Sequence, residues 1–294
     1  MPAPPPESDP AMVNAMGKAL LSLRRAAVRL EIVEGSVPMA QTLAKLIRNL
    51  QRRSARRRLP LAVVEGVRLV EEALGANLVF EGAVVSSTLQ RAERGARLSE
   101  CLQQAGVGIQ RVSHRELADL ADTDTPQGIV AVVQHPHWSV ADLCVEQGRP
   151  ILVLDGVQDP GNVGTLLRTG HALGAGGVIL LPGNARLTHP KVLRAAMGAS
   201  FRLPAVQLRT EEFRAWLKSE GVTLWATAAS GRDVSGLPRP ARLALLVGNE
   251  GAGVGVELEE LAEVTVGVPI ARDVDSLNVA VAAGIILHEV VRNG

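Results

Sequence analysis

The stretch that decides the fold runs from Ile151 to Arg168 and reads ILVLDGVQDPGNVGTLLR. Four apolar residues open it, a polar turn around Pro160 and Gly161 follows, and an apolar pattern with three- and four-residue spacing then begins. A short, continuous apolar run indicates a strand that is buried on both faces, and the spaced pattern indicates a helix. Strand, turn and helix in this order are typical of a parallel α/β sheet whose corners face a ligand-binding edge.

The same rhythm continues to the C-terminus. We predict strands at 151–154, 177–181, 203–207, 222–227, 243–247 and 264–268, and helices at 162–173, 189–197, 210–220, 257–261 and 276–292. A smaller α/β pattern precedes them. It predicts strands at 61–64, 79–86, 107–112 and 129–134, and helices at 66–74, 92–105 and 115–120.

This pattern predicts two domains, a number that also suits a chain of 294 residues. We expect a disordered tail at 1–10, because three consecutive prolines sustain neither helix nor sheet, and a helix at 12–33. The predicted organisation is a tail with a helical extension at 1–40, an N-terminal α/β domain at 41–134, a linker at 135–149 and a C-terminal parallel-sheet domain at 150–294.

Basic residues are concentrated near the N-terminus, although the net charge of the whole chain is only +1. Twelve Lys and Arg residues stand between Lys18 and Arg68 against three acids, and residues 41–60 hold seven of these bases and no acid. Such a block is typical of a nucleic-acid-binding segment, and a solvated helix face has the same composition. We predict a basic helix at 41–57, and the candidate phosphate contacts are Lys45, Arg48, Arg52, Arg53, Arg56, Arg57 and Arg58.

Several classes of protein are excluded by what the sequence lacks. Aromatic residues make up 2% and tyrosine is absent, which argues against an RNA reader that stacks bases on aromatic side chains. Cys101 and Cys144 lie far apart without CxxC spacing, and His135 and His137 have no third partner, so we expect neither a disulfide nor a metal. The sequence shows no signal-peptide pattern and no membrane-spanning apolar run, so we expect a cytoplasmic protein.

Three segments hold the candidate site residues. In the first, Asn162 stands where a helix cap is expected, and Arg168 lies one helical turn beyond Gly164. A simple turn followed by an N-cap also explains these residues. The second segment, LLVGNEGAGVG from Leu245 to Gly255, runs from a strand into a glycine-rich turn. Its spacing differs from the dinucleotide-binding GxGxxG, but so much glycine indicates a close approach of the backbone to another group.

The third segment, VPIARDVDSLN from Val268 to Asn278, leads into a strongly apolar helix. Ser276 at the helix entry is interpreted as an N-cap, whereas Asn278 is harder to explain as a structural residue because it stands before an otherwise apolar helix. The small residues Ala282, Ala283 and Gly284 would let another backbone pack closely against that helix.

In this order and with these separations, the three segments resemble the SpoU/TrmH family of RNA ribose 2′-O-methyltransferases, within the SPOUT superfamily. KVLRAAMGA at 191–199 is similar to the family too, with Ala196 where a serine is common, and Arg272 stands where glycine is frequent. VEGVRLVEEA at 64–73 and TPQGI at 125–129 are similar to the family's substrate-binding domain. The resemblance therefore covers about 45–294.

The resemblance implies a C-terminal α/β domain with a parallel sheet and a deep trefoil knot, a smaller N-terminal α/β domain that binds structured RNA (ribosomal or transfer RNA), and a homodimer with the closing helix near the interface. It implies S-adenosylmethionine as cofactor, held largely through backbone atoms of Gly248, Val268 and Leu277, and no metal. By positional match, the reacting centre would consist of Asn162, Arg168, Glu250, Ser276 and Asn278.

The family assigns the role of base to the arginine at position 168. A guanidinium has a pKa above about 12 and is a poor proton acceptor, so two roles stay open for Arg168. It removes the proton of the 2′-hydroxyl, or it holds a phosphate of the target and stabilises the developing alkoxide, which is the version we prefer.

Two other functions compete with methyl transfer. A non-catalytic RNA-binding protein of ribosome assembly would have the same fold, but it would not need the full set of site residues. A nucleotide-dependent oxidoreductase or a small-molecule methyltransferase would not need the basic N-terminal block.

Overall fold

The computed structural model describes residues 39–51 and 60–292, and the described part of Thr42–Gly294 forms one compact unit. The tail predicted at 1–10, the helix predicted at 12–33 and the basic residues Arg52, Arg53, Arg56, Arg57 and Arg58 lie outside the described residues. Within the described ranges, no helix combines the length and the apolar character that a membrane crossing requires.

The N-terminal layer is a four-stranded mixed sheet with helices on both faces. Its strands are β1 (Leu61–Glu65), β2 (Phe80–Ser86), β3 (Ile109–Val112) and β4 (Ile129–Gln134), in the order β1-β4-β2-β3. Strand β4 runs antiparallel to β1 and β2, whereas β2 and β3 are parallel. The helices are α1 (Met39–Gln51), α2 (Val67–Gly75), α3 (Glu93–Gln104) and α4 (His114–Ala118).

Both faces of this sheet are apolar, which explains why helices cover each of them. Ile47 and Leu50 of α1 pack with Leu117 of α4 against one face. Leu69 of α2 and Leu102 of α3 belong to the cluster on the other face. The side chains of a strand alternate between its two faces, so a strand with a continuous apolar run needs a partner on each side.

The C-terminal layer is a six-stranded, all-parallel sheet. Its strands are β5 (Ile151–Leu154), β6 (Gly177–Leu180), β7 (Ala205–Gln207), β8 (Thr223–Asp233), β9 (Leu243–Val247) and β10 (Val264–Gly267). The order β10-β8-β9-β5-β6-β7 means that the chain proceeds outward from β5 through β6 and β7, and then returns to the other side of β5. The strand order therefore switches between β5 and β9, where open parallel sheets bind ligands at the carboxyl ends of the strands.

Five helices complete the C-terminal layer: α5 (Pro160–Ala172), α6 (Pro190–Ala196), α7 (Thr210–Glu220), α8 (Val256–Glu259) and α9 (Val279–Arg292). Val163 of α5 and Ile286 of α9 belong to the core on one face of the sheet, and Phe213 of α7 belongs to the core on the other. The central strand β9 is buried along its whole length, as its LALLV sequence predicts.

The strands and helices predicted for residues 61–292 are all present, and most of their ends shift by a few residues. The largest difference is β8, which extends to Asp233 instead of ending at 227, because Arg232 and Asp233 pair with β10 after a shift in register. Two helix starts were predicted wrongly. Helix α5 begins at Pro160 with Asp159 as its cap, where the prediction placed Asn162, and α9 begins at Val279, three residues later than predicted.

One apolar cluster is built from residues of both layers. Leu193 of α6 and Phe201, in the 3₁₀ turn Ala199–Phe201, are 0% and 3% exposed and belong to the cluster that α2 and α3 form with the N-terminal sheet. Two ion pairs flank this contact, Arg194–Asp122 at 2.8 Å and Arg202–Glu72 at 2.7 Å. The N-terminal layer therefore packs directly against α6, the helix that follows the second strand of the C-terminal sheet.

Candidate active site

A cleft of about 620 Å³ opens at the carboxyl ends of β9 and β10. The glycine turn after β9, the end of β10 and the entry to α9 form its walls, and its volume is that of a small-molecule site. Gly248, Val268 and Leu277, the three predicted cofactor contacts, all line it. Glu250, Ser276 and Asn278 line it as well, so six predicted site residues from two distant segments meet at one cleft.

Gly248 cannot carry a side chain in this fold. A Cβ at this position would lie closer than 3.0 Å to the carbonyl group of Gly253 and to the nitrogen of Val254. Two backbone hydrogen bonds hold the turn closed: Asn249 N–H donates to Gly253 O at 2.8 Å, and Gly253 N–H donates to Asn249 O at 3.0 Å. The turn is thus a tightly folded backbone cradle whose peptide groups line the cleft.

Three of the predicted catalytic residues form a hydrogen-bonded cluster at the rim of the cleft. Asn162 Nδ2 donates to Glu250 Oε1 at 3.0 Å, and Asn278 Nδ2 donates to Asn162 Oδ1 at 3.0 Å. These three residues come from α5, from the glycine turn and from the entry to α9, and 116 positions separate Asn162 from Asn278. The cluster therefore ties together the three segments that carry the sequence motifs.

The Glu250 carboxylate is held in its charged form by this arrangement. Burial acts to raise its pKa, but hydrogen bonds from the Asn162 side chain and from backbone N–H groups, including those of Asp159 and Gln158, outweigh burial. The pKa of Glu250 consequently lies below its ordinary value. Glu250 is an acceptor of hydrogen bonds at neutral pH and has no proton to donate.

Asn278 also caps helix α9. Its Oδ1 accepts from the N–H groups of Ala280 at 3.0 Å and Val281 at 3.3 Å. The interpretation of Ser276 as the cap is therefore wrong, because the helix starts later and the amide of Asn278 occupies the capping position. The side-chain oxygen of Asn278 caps the start of α9, and its side-chain N–H donates to Asn162. One side chain therefore connects helix α9 to the cluster.

Arg168 lies apart from the cluster within its own chain. It follows Asn162 by six residues on α5, which places it about 9 Å further along the helix axis and on a different side of the helix. Its side chain is exposed and does not line the cleft. Arg168 is thus the one predicted catalytic residue that a single chain does not bring to the site.

The described part of the predicted RNA-binding segment is helix α1. Lys45 and Arg48 are exposed on it, whereas Ile47 and Leu50 are buried against the N-terminal sheet. The helix therefore presents its basic side chains outward from an apolar inner face. The other five predicted RNA contacts lie outside the described residues.

Three charged residues next to the site were not predicted as functional residues from the sequence. Asp159 Oδ1 accepts from Asn162 N–H at 3.0 Å, and Lys191 Nζ contacts Asp159 Oδ2 at 2.9 Å. Glu259 of α8 lines the cleft. Proline directly after Asp159 was the available signal for the cap, because proline favours the first helical position. Lys191 opens the KVLRAAMGA stretch that resembles the family, but nothing in that pattern places its side chain beside Asp159, and no sequence pattern includes Glu259.

The charge and lining of the cleft agree with a cationic cofactor. Among residues 39–51 and 60–292, the charged residues of its lining are Glu250 and Glu259, and no Lys, Arg or His lines it. Val268, Ile270 and Leu277 supply apolar surface, and the glycine turn supplies peptide groups. S-adenosylmethionine combines a flat aromatic base with hydrogen-bonding edges, ribose hydroxyls and a positive sulfonium, so these residues fit it. Within residues 39–51 and 60–292, no group of three metal-ligating side chains comes together.

A parallel sheet with a backbone-lined cleft at the carboxyl ends of its strands and a polar cluster on the rim defines a cofactor-dependent α/β enzyme. Residues 149–288 match the SpoU rRNA Methylase family, and residues 42–131 match the MRM3-like substrate binding domain. The chain belongs to the SpoU family of methyltransferases.

Individual relatives support this assignment. The chain is 37% identical over 227 residues to the 23S rRNA (guanosine(2553)-2′-O)-methyltransferase RlmP of Bacillus subtilis, covering 77% of this chain and 86% of that protein. The AdoMet-bound rRNA methyltransferase of Sinorhizobium meliloti has a TM-score of 0.76 at 30% identity, covering 89% and 97% of the two chains. The SpoU methyltransferase AviRb of Streptomyces viridochromogenes, in complex with AdoMet, has a TM-score of 0.77 at 27% identity, covering 88% and 98%.

Proposed function

We propose that this protein transfers a methyl group from S-adenosylmethionine to a ribose 2′-hydroxyl of ribosomal RNA. The observation that carries the proposal is the cluster of Asn162, Glu250 and Asn278 at the rim of the cofactor cleft. Several relatives have 23S rRNA in their names, which favours the large-subunit RNA as substrate. Transfer RNA is the other RNA class that remains for the test.

Cofactor binding is assigned to Gly248, Val268 and Leu277. The closed turn at Gly248 brings peptide groups to the cleft wall, and Val268 and Leu277 contribute apolar contact. S-adenosylmethionine, when bound, supplies a methyl group that is already electrophilic, so the protein has to align the acceptor and to manage one proton.

The cluster aligns the acceptor. Each asparagine amide has two N–H groups, and the contact within the cluster uses one of them. The second N–H of Asn162 or Asn278 is available to a ribose oxygen at the rim. Glu250 holds Asn162 in one orientation through an ionised carboxylate, so the site is organised before RNA arrives.

Arg168 is proposed to act on the RNA and to do so across a homodimer. Val281 and Ile285, one turn apart on α9, are 51% and 40% exposed. A methyl group at Gly284 would lie 3.3 Å from Thr169 of the same chain, so α9 packs on α5 beside Arg168. A second copy covering the Val281–Ile285 face would bury this apolar surface and place Arg168 in the interface. Val281→Arg should therefore yield a monomer, measured as a halved molar mass by light scattering. Gly284→Arg should perturb the fold, which light scattering detects as aggregated protein.

Methyl transfer is tested with tritiated S-adenosylmethionine and separate 23S rRNA, 16S rRNA and transfer RNA lacking the modification. We expect label in 23S rRNA and a gap in its alkaline cleavage ladder, since a 2′-O-methyl group blocks that cleavage. Arg168→Ala should abolish transfer while cofactor affinity stays near the wild-type value. Label in transfer RNA alone would change the substrate class, and binding of RNA without label would favour the ribosome-assembly alternative.

The domain boundaries at 41–134 and 150–294, the trefoil knot and the cytoplasmic location stay predictions. Limited proteolysis tests the boundaries. Protection of 135–149 from cleavage would argue against a flexible linker there.

A further inference from the structure

We propose that Lys191 binds a phosphate of the RNA strand beside the target ribose and releases Asp159 when it does so. This assignment rests on the proposed function and adds a substrate-positioning residue to it. Lys191 is the second residue of α6, and its Nζ lies 2.9 Å from Asp159 Oδ2.

Asp159 connects Lys191 directly to the cluster. Its side chain caps α5 through the Asn162 N–H group, and its backbone N–H donates to Glu250 Oε1 at 3.2 Å. Lys191 is therefore connected to Asn162 and Glu250 through a single intervening residue, Asp159. A methyl group on Gly161 would lie 3.3 Å from Lys191 Cε, so the lysine lies across the first turn of α5.

The charge around the cluster creates a need for this cation. The ribose of an RNA strand has a phosphate on its 5′ side and another on its 3′ side, and both must approach the rim when the 2′-hydroxyl does. The rim and cleft offer the carboxylates of Glu250, Glu259 and Asp159, and no basic residue of the described part of the chain lines the cleft. Because like charges repel an approaching phosphate, a cation on this side of the rim favours productive binding in addition to the one that Arg168 is proposed to supply.

The Lys191–Asp159 pair is built so that it can exchange partners. The two side chains are 54% and 44% exposed, and an ion pair this exposed contributes little to stability. The Lys191 ammonium can therefore turn from the carboxylate to a phosphate without a large cost. Asp159 keeps its capping bond to Asn162 when the lysine leaves, so the cluster stays intact.

The test measures steady-state methylation of 23S rRNA by the full chain. Lys191→Met should raise KM for RNA about five- to tenfold, as expected for one lost charge-assisted contact, with kcat and cofactor affinity little changed. The dependence of log KM on log salt should flatten by roughly 0.7–0.9, the value of one phosphate contact. Lys191→Arg should restore KM, and Lys218→Met, at an exposed lysine of α7, is the matched control.

Asp159→Asn separates the proposal from a purely structural role. Asparagine still caps the helix but frees the lysine, so KM for RNA should stay the same or fall. If Lys191 served only to hold Asp159, both variants would lower kcat together and leave KM and the salt slope unchanged, and the proposal would be wrong. A wild-type enzyme without methyl transfer to any RNA would instead contradict the proposed function.

Discussion

Substituting Gly248 by alanine should selectively destroy cofactor binding. The added methyl carbon would lie closer than 3.0 Å to backbone atoms of Gly253 and Val254, whereas carbon atoms are optimally separated by about 3.5–4.0 Å. The backbone must therefore move by roughly 1 Å or more to reach an ordinary contact distance. No flexible side chain can yield instead, because the atoms in the way all belong to the main chain.

The cost of this movement follows from the bonds that close the turn. The two hydrogen bonds between Asn249 and Gly253 are the first to stretch, and losing both costs about 1–3 kcal/mol. In the cofactor-free variant the turn can open to relieve the clash. Cofactor binding requires the closed turn again, so the free-energy cost of closing it lowers the affinity for the cofactor. At 1.4 kcal/mol per factor of ten, Kd for S-adenosylmethionine should rise roughly five- to hundredfold.

Isothermal titration calorimetry measures this effect, and circular dichroism checks that the fold survives. Gly251→Ala is the matched control in the same turn, because a methyl group there would meet Asn249 Oδ1 at 3.7 Å, an ordinary contact. Its Kd should change by less than about threefold, within the range of benign surface substitutions. A Gly248→Ala variant that binds like wild type, or a Gly251→Ala variant that is equally impaired, would refute the reasoning.

Three further predictions concern the rim and the cleft. Asn278→Ala removes the cap of α9 and the bond to Asn162, so the free energy of unfolding in urea should fall by about 1 kcal/mol and turnover should drop. Ser276→Ala, which removes no cap, should leave that free energy within about 0.5 kcal/mol, and equal losses would contradict the assignment. Glu259→Gln should reduce the preference for S-adenosylmethionine over S-adenosylhomocysteine, which lacks the sulfonium charge, about two- to fivefold in calorimetry, while Glu260→Gln, outside the cleft, should not. The pKa of Glu250 is lowered in the folded protein, so its charged form stabilises the fold above the unfolded value of 4.5, and this stabilisation is lost as pH falls through the folded pKa. The Tm deficit of Glu250→Gln should therefore shrink below pH 4.5. A deficit that is independent of pH would argue against an ionised, hydrogen-bonded carboxylate.

The strands were predictable because strands that are buried on both faces consist of continuous runs of apolar residues. The runs ILVL at β5 and LALLV at β9 are fully buried, and a polar residue there would have no hydrogen-bond partner. The end of β8 was missed for the opposite reason. Its last residues, SGRD, have the composition of a turn, and only the pairing of Arg232 and Asp233 with β10 makes them a strand.

The helix caps show the limit of local reasoning. Asp159 and Asn162 are both good capping residues, and so are Ser276 and Asn278, so composition alone does not choose between them. The choice is made by where the backbone turns, which depends on tertiary contacts. The bond between Asn162 and Glu250 spans 88 positions, and family resemblance was the only signal in the sequence that grouped these residues.

The shared core of the two layers limits how such enzymes can be recombined. Residues 42–131 and 149–288 match two separate families, which makes the chain look like two exchangeable modules. Yet Leu193 and Phe201 belong to the second match and complete the core of the first. A catalytic fragment cut free at the linker would expose both side chains to water and should aggregate. A foreign substrate-binding domain could therefore replace the N-terminal layer only if its apolar surface accommodated Leu193 and Phe201, so the two layers have to be redesigned together.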